Sequence, residues 1–274
     1  LRQGRGARAR AAREGWASVS ARGKRAASVV EAVTTAPDLR HGRWQDVLAD
    51  VTCDAVIVDA PYSERTHKGA LGADDGRTEI GYSFWGAVEI DAFVSSWAPR
   101  LSCWMVSITD TDLAPLWRSS MEDAGLYAFP PLAILITGMG VRIMADGPAS
   151  WTLNLCVARR RAKRLSTTPT AKGIWRSLPG GYTGAASPTM AGGRGKPSWL
   201  LDALVADYSD PGMLVCDPCA GWGSTLVAAQ KLGRRAIGAE VDPDAYAIAA
   251  RRVRGDEARP RPEQPSLFAS LETP

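Results

Sequence analysis

Short apolar runs rich in β-branched residues alternate with stretches of helical periodicity along most of this chain, and that alternation constrains its fold more than any other feature. Ala55–Val58, Trp104–Ile108, Met213–Cys216 and Arg235–Ala239 read as strands. Gln45–Ala49, Val88–Trp97, Leu113–Ala124, Ser198–Tyr208, Ser224–Leu232 and Pro243–Arg252 read as helices. Leu132–Ile136 and Leu153–Val157 follow each other as two further strands across a glycine-containing turn. Strands that alternate with helices predict an α/β fold, a mostly parallel twisted sheet with helices on both faces. Ser63–Tyr82 is polar and Gly-rich and reads as a loop. Arg159–Arg194, rich in Gly, Pro, Thr and Arg, has no period and predicts loop or a small irregular subdomain.

The 274 residues are 45% apolar and 23% charged, the balance of an ordinary soluble domain. No apolar run approaches the roughly 20 residues that span a bilayer. Residues 1–30, Arg- and Ala-rich and almost free of acid, read as a flexible basic arm, with a transit peptide as the competing reading. The chain opens on Leu rather than Met, so residue 1 need not be the natural start. The odd cysteine count (five) and their apolar settings predict reduced thiols and a cytoplasmic protein. Cys216 and Cys219 have C-x-x-C spacing, but no second pair accompanies them, so no metal site is expected.

Net charge is +4, unevenly spread. Between Asp146 and Asp202 there is no acid, while Arg159, Arg160, Arg161, Lys163, Arg164, Lys172, Arg176, Arg194 and Lys196 are all basic. A long field of one sign suits a surface that meets phosphates.

Two strand ends carry the chemistry. In a parallel sheet the ligand crevice lies at the carboxyl ends of the strands. Asp217 stands at one such end, and Ala220–Gly223 turns into the next helix, whose first residues, Ser224 and Thr225, offer hydroxyls and amides to an anionic group. The following strand closes on Glu240, an acid suited to both hydroxyls of a ribose. A nicotinamide dehydrogenase would need a third glycine where Leu226 stands. At the other strand end, Asp59-Ala60-Pro61-Tyr62 groups a carboxylate, a carbonyl fixed by proline and an aromatic face. Carboxylate and carbonyl can accept the hydrogens of an aromatic amine and return lone-pair density to its nitrogen.

Val215 to Thr225, followed by Gly233 to Glu240, closely resembles the AdoMet-binding segment of amino-directed DNA methyltransferases, and Gly195-Lys196-Pro197 resembles the motif preceding it. Asp59-Ala60-Pro61-Tyr62 resembles their Asp-Pro-Pro-Tyr catalytic motif, with Ala60 in place of the first Pro. Catalytic motif before cofactor motif is the order of the beta-type, circularly permuted members. The resemblance covers about residues 38–254 and implies a Rossmann-like AdoMet methyltransferase fold. It implies a catalytic half (31–158), a target-recognition insertion (159–195) and an AdoMet-binding half (196–255), followed by a disordered tail (256–274). Lys196, Asp217, Cys219, Gly221, Gly223, Ser224, Thr225 and Glu240 would then hold the cofactor, with Asp217, Ser224 and Lys196 at its methionine end and Glu240 on its ribose. Cys219 stands where the family has Phe, and Arg43, after His41-Gly42, where a strand often carries an acid near the cofactor adenine.

Asp at the head of the catalytic motif implies adenine-N6 as acceptor, with cytosine-N4 as the alternative. Double-stranded DNA is the expected partner, its phosphates on Arg159, Arg160, Arg161, Lys163, Arg164, Lys172 and Arg176, while Trp175 and Tyr182 either stack during base flipping or pack their own loop. Gln264-Pro265-Ser266-Leu267-Phe268 resembles the pentapeptide with which bacterial repair proteins grip the sliding clamp. A monomer or dimer, encoded by a bacterium or phage and associated with the nucleoid, is expected. A non-catalytic DNA- or RNA-binding protein on a decayed methyltransferase fold is the reading from another class.

Overall fold

The computed structural model describes residues 36–66, 83–138, 152–161, 178–186 and 195–256. The described strands join in a nine-stranded sheet: β1 Asp38–His41, β2 Cys53–Asp59, β3 Leu101–Thr109, β4 Leu126–Ala128, β5 Leu132–Thr137, β6 Thr152–Arg160, β7 Gly181–Ala185, β8 Leu214–Asp217 and β9 Arg235–Glu240. Their order across the sheet is β1-β9-β8-β2-β3-β6-β5-β7, with β4 on β6. From β1 to β3 all neighbours are parallel; β6 runs antiparallel to β3, β4 and β5, and β7 parallel to β5. The described helices are α1 Trp44–Val47, α2 Ala87–Trp97, α3 Ala114–Asp123, α4 Ser198–Tyr208, α5 Ser224–Lys231 and α6 Pro243–Arg254.

Side-chain alternation sorts the sheet into two cores. Val56, Val58 and Met105 pack with Ile90, Phe93, Val94 and Trp97 of α2 and Trp117 and Met121 of α3. Ala55, Ile57, Val106, Ile108 and Val215 pack instead with Leu200, Leu204 and Val205 of α4 and Leu226 of α5. A strand covered on both faces reads as an unbroken apolar run, which is why Ala55–Val58 are all buried. Each fully buried Ile, Phe or Leu of these rows contributes about 1.5–3 kcal/mol over an exposed one. No described helix is long and apolar enough to cross a membrane.

The predicted elements are found, with ends moved by a few residues. Three strands were not expected. β1 is a four-residue stretch with a single partner strand and only two half-buried side chains. It ends at His41, so Arg43 lies past the strand, at the start of α1. β4 has three residues, and β7 contains two glycines and gains its place from pairing with β5. The segment expected to be irregular from Arg159 onward therefore contains the end of β6 and all of β7.

Two glycines are dictated by backbone. Gly223 opens α5 at φ +76°, the left-handed region, and a side chain there would meet Ala249 of α6 at 3.2 Å. Gly238 in β9 would place a Cβ 2.8 Å from the carbonyl oxygen of Asp217 and 3.1 Å from Leu226. Gly238→Ala should therefore lower the urea midpoint by an amount equivalent to about 1–3 kcal/mol. Gly180→Ala, with no atom in the way, should stay within about 0.5 kcal/mol of the parent. Equal midpoints for the two variants would refute the close approach.

Candidate active site

The chain leaves β8 through α5 toward β9 on one side and leaves β2 through α2 toward β3 on the other. Where connections diverge in this way the carboxyl ends of the two strands border a crevice. Asp59 ends β2, Asp217 ends β8 and Glu240 ends β9, on three adjacent strands. They continue the rows Ala55-Ile57, Val215 and Ala236, so period-two alternation turns all three carboxylates toward the layer of α4 and α5.

Asp59 is held from two sides. Tyr62 donates its hydroxyl to Oδ1 at 3.0 Å, and Lys196 donates Nζ to Oδ2 at 2.6 Å. The same ammonium stands 5.0 Å from the Tyr62 ring centre. Lys196, expected near a cofactor, thus joins the segment before α4 directly to Asp59. Ala60 is buried and Pro61 half-buried beside it.

The glycine turn is tied to the other two acids. Glu240 accepts from the amides of Gly221 at 2.6 Å and Asp242 at 2.8 Å. Asp217 accepts from the Cys219 amide at 3.1 Å and is hydrogen-bonded to the Thr225 side chain. Thr225 and Gly223 therefore serve the site from behind, one on Asp217 and one against α6. A Cβ on Gly221 would meet nothing within 4 Å, so this turn borders open space beside Glu240. The α5 N-terminus carries no side-chain cap. Burial, helped by the charges of Asp59 and Glu240, pushes the Asp217 carboxyl up to about 7, and burial also raises Glu240. Burial drives the Cys219 thiol well above its ordinary range. Open space, an uncapped helix start and three close acids fit a ligand with positive charge, a ribose and a carboxylate.

Other expected site residues lie elsewhere. Arg159 is level with Trp104, and Trp104 with Ala55, so Arg159 sits four residues, or about 13 Å, down the sheet from Asp59. Its guanidinium lies over Tyr127 at 5.0 Å, and Arg160 and Arg161 continue away from the crevice. The structure does not bring Arg159–Arg161 to the crevice. Tyr182 is buried in β7 and donates to Asp207 at 2.9 Å, so it packs rather than stacks on a base. Lys163, Arg164, Lys172, Trp175, Arg176, Gln264–Phe268 and the basic arm fall outside the described residues.

Residues 193–251, which contain Lys196, the glycine turn and Glu240, match the family model N6_N4_Mtase, DNA methylase. Over that segment the chain is similar to the DNA methylase family. Over 61 residues the chain is 34% identical to the Type II methyltransferase M2.DpnII of Streptococcus pneumoniae, across 22% of this chain and 23% of that protein. The chain spans 20–23% of the length of the curated relatives it matches. Among solved structures, the M1.HpyAVI-SAM complex aligns at TM-score 0.59 and 17% identity, over 79% of this chain and 98% of that one. The cytosine-N4-specific PvuII DNA methyltransferase aligns at TM-score 0.56 and 12% identity, over 80% and 86%. At such identities the likeness is one of fold, and it covers about four-fifths of this chain.

Two residues of the site were missed in the sequence. Arg252 donates to the Trp222 carbonyl at 2.7 Å and to Ser224 Oγ at 3.1 Å, bracing the turn from α6. Asp110, just past β3, binds Ser63 and Thr66. Neither belongs to a short motif, and both act across long sequence separations.

The raised Asp217 carboxyl has a stability signature. Between an unfolded pKa near 3.9 and the folded value of about 7, the native state binds the extra proton. This contribution is complete below about pH 4 and is lost as pH rises through 7, at roughly 1.4 kcal/mol per unit. The stability of the parent relative to Asp217→Asn should fall across that window and level off above it. A difference that stays flat from pH 4 to 8 in urea titrations would rule out the shift.

Proposed function

We propose that this protein transfers the methyl group of AdoMet to the exocyclic amine of a base flipped out of double-stranded DNA, with adenine N6 as the acceptor. The observation that carries this reading is the placing of Asp59 and Tyr62, with Lys196 on Asp59, at the end of the strand next to the one that ends in Asp217. AdoMet supplies an electrophilic methyl on a sulfonium. Its cationic groups suit the acidic row, its ribose suits Glu240, and its carboxylate suits the start of α5. Val241, 47% exposed after Glu240, offers an apolar surface to the adenine.

Asp59 and the Ala60 carbonyl accept the two amino hydrogens, and Tyr62 provides the stacking face, worth about 1–3 kcal/mol. A carboxylate has about four lone-pair positions. Tyr62 and Lys196 occupy two of them, so an amine can be accepted without displacing either. As the N–CH3 bond forms and the S–CH3 bond breaks, the nitrogen loses a proton. Asp59, about one-third exposed, takes it toward solvent. Holding amine and methyl in line supplies much of the acceleration.

The Asp that heads the motif favours adenine. Cytosine-N4 keeps the same geometry, and PvuII DNA methyltransferase, of like fold, is cytosine-N4-specific. DNA phosphates are assigned to the acid-free stretch; within it Arg159–Arg161 reach only duplex lying well away from the flipped base. A purely binding protein would not require Asp59 to be braced by two donors.

Nucleoside mass spectrometry on DNA from methylation-free cells expressing the chain tests the proposal. N6-methyladenine should appear, and Asp59→Ala should reduce it by at least about 100-fold while AdoMet affinity, read by calorimetry, changes little. N4-methylcytosine would reassign the base. Loss of AdoMet binding in Asp59→Ala would make the residue structural.

A further inference from the structure

We infer that Asp110 is a positioning residue that fixes the catalytic segment by clamping the peptide unit joining Tyr62 to Ser63; as a role in turnover, this rests on the methyl-transfer reading above.

The two ends of that peptide unit are held by different parts of the fold. Its carbonyl, on Tyr62, accepts the Trp85 amide at 3.1 Å. Its N–H, on Ser63, donates to Asp110 Oδ2 at 2.9 Å. A peptide is planar, so holding both its polar groups leaves its orientation no freedom. The Cα of Tyr62 is then set, and with it the reach of the ring and hydroxyl toward Asp59. Oδ2 also accepts Ser63 Oγ at 2.6 Å and Thr66 Oγ1 at 2.7 Å, and Oδ1 accepts the Leu113 amide at the start of α3 at 3.0 Å. One carboxylate thus joins the end of β3, the start of α3 and the segment after Tyr62. Trp85 is no looser: its ring stacks on the buried Trp117 at 6.1 Å and packs on Phe93 at 5.4 Å.

Asp110 is 8% exposed. Burial alone would raise its carboxyl, but hydrogen bonds from Ser63, Thr66 and Leu113 outweigh it and hold it below the ordinary range. The clamp therefore stays charged wherever the protein is folded and active. Asparagine cannot replace it fully. Its single carbonyl oxygen can face Ser63 or Leu113, and the amide would then present N–H to N–H at the other. Ser63 and Thr66, unremarkable polar residues after the catalytic motif, gain a purpose as donors to this acid.

Asp110→Asn and the double variant Ser63→Ala plus Thr66→Val test the clamp; the second leaves the Leu113 contact and α3 intact should the first fold poorly. Hydrogen exchange read by mass spectrometry reports the clamp without any turnover. Residues 60–66 should exchange at least about 10-fold faster in both variants, with β2 and β3 unchanged. Unchanged exchange in that segment overturns the clamp, whether or not the protein methylates DNA. For turnover, kcat should fall about 100-fold, the cost of a displacement near 1 Å, while the AdoMet dissociation constant stays within about twofold. Faster exchange with unchanged kcat, in a parent that methylates DNA, overturns the positioning role. So does a fall in kcat matched by an equal loss of AdoMet affinity. A parent with no methylation but normal protection of residues 60–66 would mean that the methyl-transfer reading, and not the clamp, had failed.

Discussion

Three carboxylates end adjacent strands, and like charges placed so closely need donors or a cation to offset them. The surrounding structure supplies donors unequally. Asp59 has an ammonium and a phenol, and Glu240 has the backbone amides of Gly221, Val241 and Asp242. Asp217 has one amide and one hydroxyl, is nearly fully buried, and is the acid pushed furthest up. The charge left uncompensated lies at the centre of the row, between the Asp59 cluster and Glu240. A cationic ligand placed there would ionise Asp217 and be held more tightly for it, which suits a sulfonium better than the phosphates of a dinucleotide.

The same turn shows how one sheet can be adapted to either kind of nucleoside ligand. Dinucleotide-binding turns place a third glycine on the helix so that helix and strand can approach. Here Leu226 occupies that position on α5 and is fully buried, and the space for it comes from Gly238 on β9. The small residue has moved from helix to strand, and close packing is kept. Gly223 does the corresponding work against α6. Of the glycines in the turn, Gly221 alone borders open space, so it is where the backbone comes closest to a ligand.

Legibility in the sequence followed the range of the interactions. Buried parallel strands such as Ala55–Val58 and amphipathic helices such as Ser198–Tyr208 carry their pattern locally, and both were readable. Asp59, Asp217 and Glu240 were readable too, because each ends such a strand and sits in a compact motif. β1, β4 and β7 were not, since a short strand with little apolar alternation exists by virtue of its partner. Tyr182 was open between stacking and packing until Asp207 fixed its hydroxyl. The arginines were read by charge alone, and charge does not reveal which end of a strand a residue occupies. β6 runs antiparallel to β3, so its later residues travel away from the crevice, and Arg159–Arg161 went with them.

Lys196 makes the strongest case for reading the two halves as one machine. It lies 137 residues from Asp59 in sequence, yet meets it at 2.6 Å beneath partial cover. An exposed ion pair contributes little, but one this sheltered, with one partner removed, leaves the other charge poorly solvated. Lys196 without Asp59 would leave its ammonium over the Tyr62 ring without that carboxylate. The pair therefore ties the segment before α4 to the end of β2. Permutation of the motif order does not disturb this, because strand adjacency and not sequence order brings the partners together.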